Sequence, residues 1–116
     1  MSKDYRALTQ DISGNMRELR TLQPEAMKGF SALAQAAGAD GSLDKKTKEF
    51  IALAIGFTQR CDGCIGFHAK ALAGLGASRQ EIAEVAAMSV YMGGGPALMY
   101  ATDALRAFDQ FSEQAA

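Results

Sequence analysis

The side chains of this sequence best suited to chemistry gather in one stretch, Glu49 to His68, reading EFIALAIGFTQRCDGCIGFH. It holds both cysteines and the only histidine. Cys61 and Cys64 form a C-x-x-C pair and His68 follows Cys64 by four residues, so on a helix the imidazole shares a face with that thiol. A free thiol near neutral pH is mostly protonated, whereas attack on a peroxide or a disulfide needs the thiolate. Two devices favour the anion here: the partial positive charge of a helix N-terminus, and a histidine one turn on that can take the proton. Together they can lower the thiol pKa by roughly two, at about 1.4 kcal/mol of preference for the anion per unit. Once one sulfur is oxidised, the other can close an internal disulfide, because C-x-x-C at a helix start permits the approach. Exposure at the helix entrance favours Cys61 as the attacking sulfur and nearness to His68 favours Cys64; the spacing leaves both open. Glu49 opens a strongly apolar helix, where a carboxylate either reaches the surface from the first turn or faces a group that needs a base.

Other uses of these residues fit less well. A structural zinc site wants four ligands, and two thiols, one imidazole and Glu49 in a C-x-x-C-x-x-x-H arrangement make an unusual set. Covalent haem attachment needs histidine directly after the second cysteine, where Ile65 stands. A thioredoxin-type domain places its C-x-x-C after a β-strand, and no strand pattern precedes Cys61. The glycine run Gly93–Gly95 lacks a following Lys-Ser or Lys-Thr and precedes Pro96, which makes it a helix connection rather than a phosphate cradle.

The elements that must hold the site read as helices throughout. Tyr5, Leu8, Ile12, Met16, Leu19 and Leu22 recur every three or four positions from Asp4 to Leu22. Pro24 suits the first turn of a second helix, carried by Met27, Phe30 and Leu33 and ended near Gly38. After the turn residues Gly38–Ser42, Asp44 caps a third helix, followed by Lys45, Lys46 and Lys48, which read as a solvated first turn. From Phe50 to Phe57 almost no polar face remains, so this helix is expected to be packed on most sides. The pattern restarts at Cys61 and stops near Gly74 or Gly76; Ser78 with Glu81 is a capping box for a fifth helix. The Gly93–Pro96 break precedes a sixth, expected to end at about Phe111 with a frayed tail. Met16, Met27, Met88, Met92 and Met99 are expected to fill core or interface gaps. The expected fold is all-α, a single domain over residues 1–116 with about six helices.

Composition narrows the function. Lys and Arg total 12 against 13 Asp and Glu, a net charge of −1, which gives no broad basic field for nucleic acid or anionic lipid. The N-terminal MSKDYRALTQDIS has no signal-peptide apolar core, and the densest apolar run, Phe50–Phe57, is too short to span a bilayer. A cytoplasmic protein is expected, and in that reducing compartment two cysteines serve for cycling rather than as a permanent staple.

Glu49, Cys61-Asp62-Gly63-Cys64 and His68 together match an E-x11-C-x-x-C-x-x-x-H signature. In this the sequence resembles the alkylhydroperoxidase D-like proteins of the carboxymuconolactone decarboxylase family. The likeness runs from about Phe30 through the Gly93–Pro96 break to Leu105, within a family-like core of about residues 24–111. It implies an all-helical fold, thiol-dependent reduction of hydroperoxides, and a homo-oligomer, commonly a trimer or hexamer. It makes Cys64 the thiol activated by His68, Glu49 a member of the same proton network, and Cys61 the disulfide partner. The substrate it implies is a hydroperoxide, or a disulfide if the protein is an electron adaptor; no prosthetic group or metal is needed, only an external dithiol or protein reductant. Gly63 departs from the pattern, which often has a second histidine between the cysteines. Decarboxylation of a lactone acid by Glu49 and His68 is the alternative enzyme, with Arg60 as a weak candidate carboxylate clamp; a non-enzymatic helical scaffold is the third reading.

Overall fold

The computed structural model describes residues 3–115, with side chains through Glu113. Its elements are α1 (Tyr5–Leu22), α2 (Pro24–Gly38), α3 (Lys45–Thr58), α4 (Asp62–Gly74) and α5 (Arg79–Ala115), with no strand among the described residues. The fold is all-α, as the periodicity indicated. The six expected helices appear as five because the last two join into α5, which is interrupted at Gly94 (φ 74°, ψ −157°). That left-handed φ suits glycine, and Pro96 falls in the first turn of the second arm, where its missing N–H removes no helical bond. The helix also runs on past Phe111, the expected end, to Ala115.

Side-chain caps fix the starts. The Asp4 carboxylate accepts from Arg6 N–H and Ala7 N–H at 3.0 and 3.2 Å. Asp44 accepts from Thr47 N–H at 2.8 Å, and the Thr47 side chain together with that N–H holds its carboxyl below the usual aspartate range. Ser78 and Glu81 form the reciprocal pair, with Glu81 N–H donating to Ser78 Oγ at 3.0 Å and Ser78 N–H to Glu81 Oε1 at 2.8 Å. Of the three lysines that open α3, Lys46 pairs with Glu81 at 3.0 Å.

The connection that matters most is the one from α3 to α4. Arg60 N–H donates to Phe57 C=O and Cys61 N–H to Gly56 C=O, with Arg60 in the left-handed region at φ 60°. This six-residue closure ends a helix with one residue of positive φ, a place usually held by glycine. Arg60 is exposed there and shapes the turn that delivers Cys61 to the start of α4. α3 and α4 run antiparallel, with Gly56 opposite Cys64 and Glu49 opposite His68.

α5 packs against both helices of this hairpin, and α1 lies across α4 and α5. The shared core contains Tyr5, Leu53, Phe57, Ile65, Leu72, Ile82, Ala104 and Phe108. Two α4 glycines let α1 come close. A Cβ at Gly66 would lie 2.5 Å from Thr9 Cγ2 and 3.3 Å from Tyr5 Cδ1, and one at Gly63 would lie 3.0 Å from Ile12 Cδ1. Gly66→Ala should therefore push α1 off α4 and lower stability by about 1–3 kcal/mol, read as a lower urea midpoint. An unchanged midpoint would mean the α1–α4 contact is looser than described.

Two expectations about burial need correction. α3 is not packed on most sides: Ile51 and Ile55 are about half exposed, because that side of α3 faces an open cleft rather than another helix. Of the methionines expected in core or interface gaps, Met16, Met88, Met92 and Met99 are exposed and fill no core gap of the single chain, while Met27 is half-buried. α2 contributes no buried residue, and its Phe30 and Leu33 are both largely uncovered.

Candidate active site

Cys61 is the N-cap of α4, and its Sγ accepts from Cys64 N–H at 3.2 Å. The two cysteines are joined as a disulfide with their Cα atoms 5.3 Å apart. Cys64 seats against α3 at Gly56, where an added Cβ would lie 2.8 Å from Cys64 Cβ. Glycine at 56 is thus what lets the C-x-x-C turn rest directly on α3.

Two turns earlier on the same face of α3 stands Glu49, and one turn later on α4 stands His68. Glu49 Oε2 meets His68 Nδ1 at 2.6 Å, a short bond of the charge-assisted kind. The Glu49 side chain is 18% exposed and that of His68 34%, so the pair is sheltered and still reachable from solvent. A Nδ1–H directed at the carboxylate leaves Nε2 of the neutral ring as the basic nitrogen. Four residues at 1.5 Å rise separate the His68 and Cys64 backbones by about 6 Å along the helix axis. The four residues singled out in the sequence thus lie along one seam between α3 and α4, and Glu49 faces His68 across it rather than open solvent.

Gly63 has a structural reason. α1 covers that side of α4, and a Cβ at 63 would meet Ile12 Cδ1 at 3.0 Å, tight enough that the Ile12 side chain must give slightly. Arg60, the candidate carboxylate clamp, is exposed at the turn between α3 and α4. Among the described residues, no three His, Cys, Asp or Glu side chains gather as a metal-binding group.

One set of contacts at the C-x-x-C was not anticipated. Asp62, between the cysteines, accepts at Oδ1 from Lys3 Nζ at 3.0 Å and from Tyr5 OH at 2.8 Å. Burial pushes its carboxyl up, but these two hydrogen bonds outweigh burial and hold it below the usual aspartate range. Tyr5 is wholly buried, and burial and the Asp62 bond push its hydroxyl well above the ordinary tyrosine range. No local pattern could have revealed these contacts, because they join residues 57 and 59 positions apart.

A further cleft lies elsewhere. A cleft of about 720 Å³ between α3 and the first arm of α5 is lined by Ile51, Ala54, Ile55, Val85, Met88 and Met92, among others. At 100° per residue, Ile51, Ile55 and Thr58 lie across α3 from Glu49 and Gly56. The cleft is therefore a separate apolar surface and not the pocket of the cysteines.

Comparison with known proteins agrees with this fold. The structure superposes on the crystal structure of a carboxymuconolactone decarboxylase family protein of Legionella pneumophila, in its apo form, with TM-score 0.91 and 54% identity, covering 93% of this chain and 96% of that one. It also superposes on a Thermotoga maritima member of that family, described with a possible part in antioxidative response, with TM-score 0.81 and 27% identity over 92% of each chain. An uncharacterized protein of Cupriavidus necator is 39% identical over 109 residues, 94% of this chain and 96% of that one. The model of the carboxymuconolactone decarboxylase family matches residues 24–107, and the chain belongs to that family.

Proposed function

We propose that the protein is a thiol-dependent hydroperoxide reductase. The observation that carries this reading is a C-x-x-C pair able to close as a disulfide, with a Glu49–His68 pair one turn along the same seam. In the reduced protein, His68, oriented by Glu49, takes the proton of Cys64. The Cys64 thiolate attacks the terminal oxygen of the hydroperoxide; the O–O bond breaks, an alcohol leaves with the returned proton, and Cys64 becomes a sulfenic acid. The Cys61 thiol condenses with it, releasing water and forming the disulfide. An external dithiol or protein reductant then supplies two electrons and two protons and regains both thiols. With a substrate disulfide in place of the peroxide, the same pair serves as an electron adaptor. No metal or prosthetic group enters any step, and a reducing cytoplasm suits a pair that must cycle.

The Thermotoga protein's possible antioxidative part supports this reading. The test is consumption of an organic hydroperoxide by the protein with excess dithiothreitol. Turnover well above that of the dithiol alone is expected; none, with reduced and folded protein, would remove the proposal. Lactone decarboxylation makes the opposite demand, since it uses Glu49 and His68 and is indifferent to the state of the sulfurs.

The working form in this proposal is a homo-oligomer, a trimer or hexamer. Phe30 and Leu33 on α2, Ile51 and Ile55 on α3, and Met88 and Tyr91 on α5 are all exposed, more apolar surface than a monomer usually leaves open. Light scattering should give three or six times the 12.3 kDa chain mass. Met88→Asp with Met92→Asp should shift that mass toward the monomer, and wild-type protein at 12.3 kDa would contradict the assembly.

A further inference from the structure

Asp62 puts a negative charge inside the C-x-x-C, directly after the N-cap cysteine, where it opposes any thiolate formed beside it. Residues at and just before the start of α1 answer that charge. Lys3 Nζ bridges Asp62 Oδ1 at 3.0 Å and Asp103 Oδ2 at 2.9 Å, and Tyr5 OH adds its bond to the same Asp62 oxygen at 2.8 Å. The segment that carries both donors is fixed in turn by Gln110 of α5. Its Nε2 donates to Lys3 C=O at 2.8 Å and its Oε1 accepts Tyr5 N–H at 2.8 Å. Lys3 and Tyr5 lie before residues 24–107, the part matched by the family model.

Resting on the thiol-redox reading above, we propose that Lys3 and Tyr5 are positioning residues of the redox site: by holding and neutralising Asp62 they set how readily the Cys61–Cys64 disulfide is reduced. Neither touches a sulfur in this role; both act through Asp62. Among the described residues, the charged groups paired around Asp62 are Lys3 and, through Lys3, Asp103, to which Arg106 Nε approaches at 3.7 Å; His68 lies further along α4, where it faces Glu49 of α3. With Lys3 present, Asp62 and its partner carry little net charge, so a thiolate at the start of α4 keeps the benefit of the helix N-terminus. Without it, the bare carboxylate disfavours that thiolate. The reduced form then loses stability relative to the disulfide, and the two-electron, two-proton exchange with a dithiol shifts toward the oxidised protein.

The test equilibrates the full chain with dithiothreitol and its cyclic disulfide, without hydroperoxide, for wild type, Lys3→Met, Tyr5→Phe and Asp62→Asn. Lys3→Met should shift the equilibrium about three- to tenfold toward the disulfide, Tyr5→Phe less in the same direction, and Asp62→Asn in the opposite direction. Lys3→Met made in the Asp62→Asn background should shift it by less than half as much, because the charge it answers is gone. Alkylation of the lone Cys61 in Cys64→Ser protein should follow suit, with half-maximal reactivity at higher pH when Lys3→Met is added. If Lys3→Met and Tyr5→Phe lower the melting temperature but leave both readouts at wild-type values, the residues only fasten α1 and the proposal fails. Because no peroxide is present, shifted equilibria with absent hydroperoxide turnover would keep this inference and remove the peroxidase. Turnover with unshifted equilibria would do the reverse.

Discussion

Cys64→Ser should reduce hydroperoxide consumption to the rate of the dithiol alone, a loss of about a thousandfold or more, with only a modest change in stability. The size follows from the chemistry, since the serine hydroxyl is a poor nucleophile toward peroxide oxygen and forms no sulfenic acid or disulfide. The small structural cost follows from the setting, since Cys64 rests on Gly56 of α3 and serine occupies nearly the same volume. Cys61→Ser gives a different pattern. The first equivalent of hydroperoxide should still be reduced, while later turnovers slow because no partner sulfur closes the disulfide. If instead Cys61→Ser abolishes the first turnover and Cys64→Ser spares it, the roles are exchanged. The N-cap position of Cys61 and its bond from Cys64 N–H then outweigh nearness to His68. Lactone decarboxylation that survives Cys64→Ser would identify a lyase, and a protein inert before and after the substitution would identify a scaffold.

The second large effect is on the rate of the first step. His68→Ala should slow oxidation of the reduced protein by hydroperoxide by about 10²–10³, and Glu49→Gln by about 10–10², measured as single-turnover loss of thiols. The order reflects the geometry. In the proposed mechanism His68 takes the proton, whereas Glu49 acts through its 2.6 Å bond to Nδ1, which orients the ring. Glutamine keeps the shape and an acceptor oxygen but loses the charge. The two losses should not add in the double variant, because with the imidazole gone Glu49 has nothing to orient. Additive losses would mean that Glu49 acts on the thiol by a route of its own.

Much of this site was legible in the sequence because its parts are local. C-x-x-C followed by histidine at i+4 lies on one helix, and both capping residues and helix period were visible around it. Glu49 was harder. Its apolar neighbours are compatible with a surface carboxylate, and only the antiparallel return of α4 along α3 sets His68 against it. The Lys3–Tyr5–Asp62 contacts were out of reach for the same reason in stronger form, since nothing near Asp62 in the sequence signals the N-terminal segment. The exposed face of α3, expected to be packed on most sides, and the exposed methionines of α5 differ from the core reading for another cause. Hydrophobic period marks which side of a helix avoids water, not whether the covering surface belongs to the same chain. Ile51, Ile55 and Met88 follow that rule and remain uncovered in the single chain.

The most direct test of the central claim is a thiol count on fully reduced protein before and after one equivalent of an organic hydroperoxide, with no reductant present. Both thiols of each chain should disappear rapidly without cross-links between chains, and more slowly in His68→Ala and Glu49→Gln. Thiols that persist as long as those of free cysteine would contradict the account, leaving the Glu49–His68 pair to be assayed for decarboxylation instead.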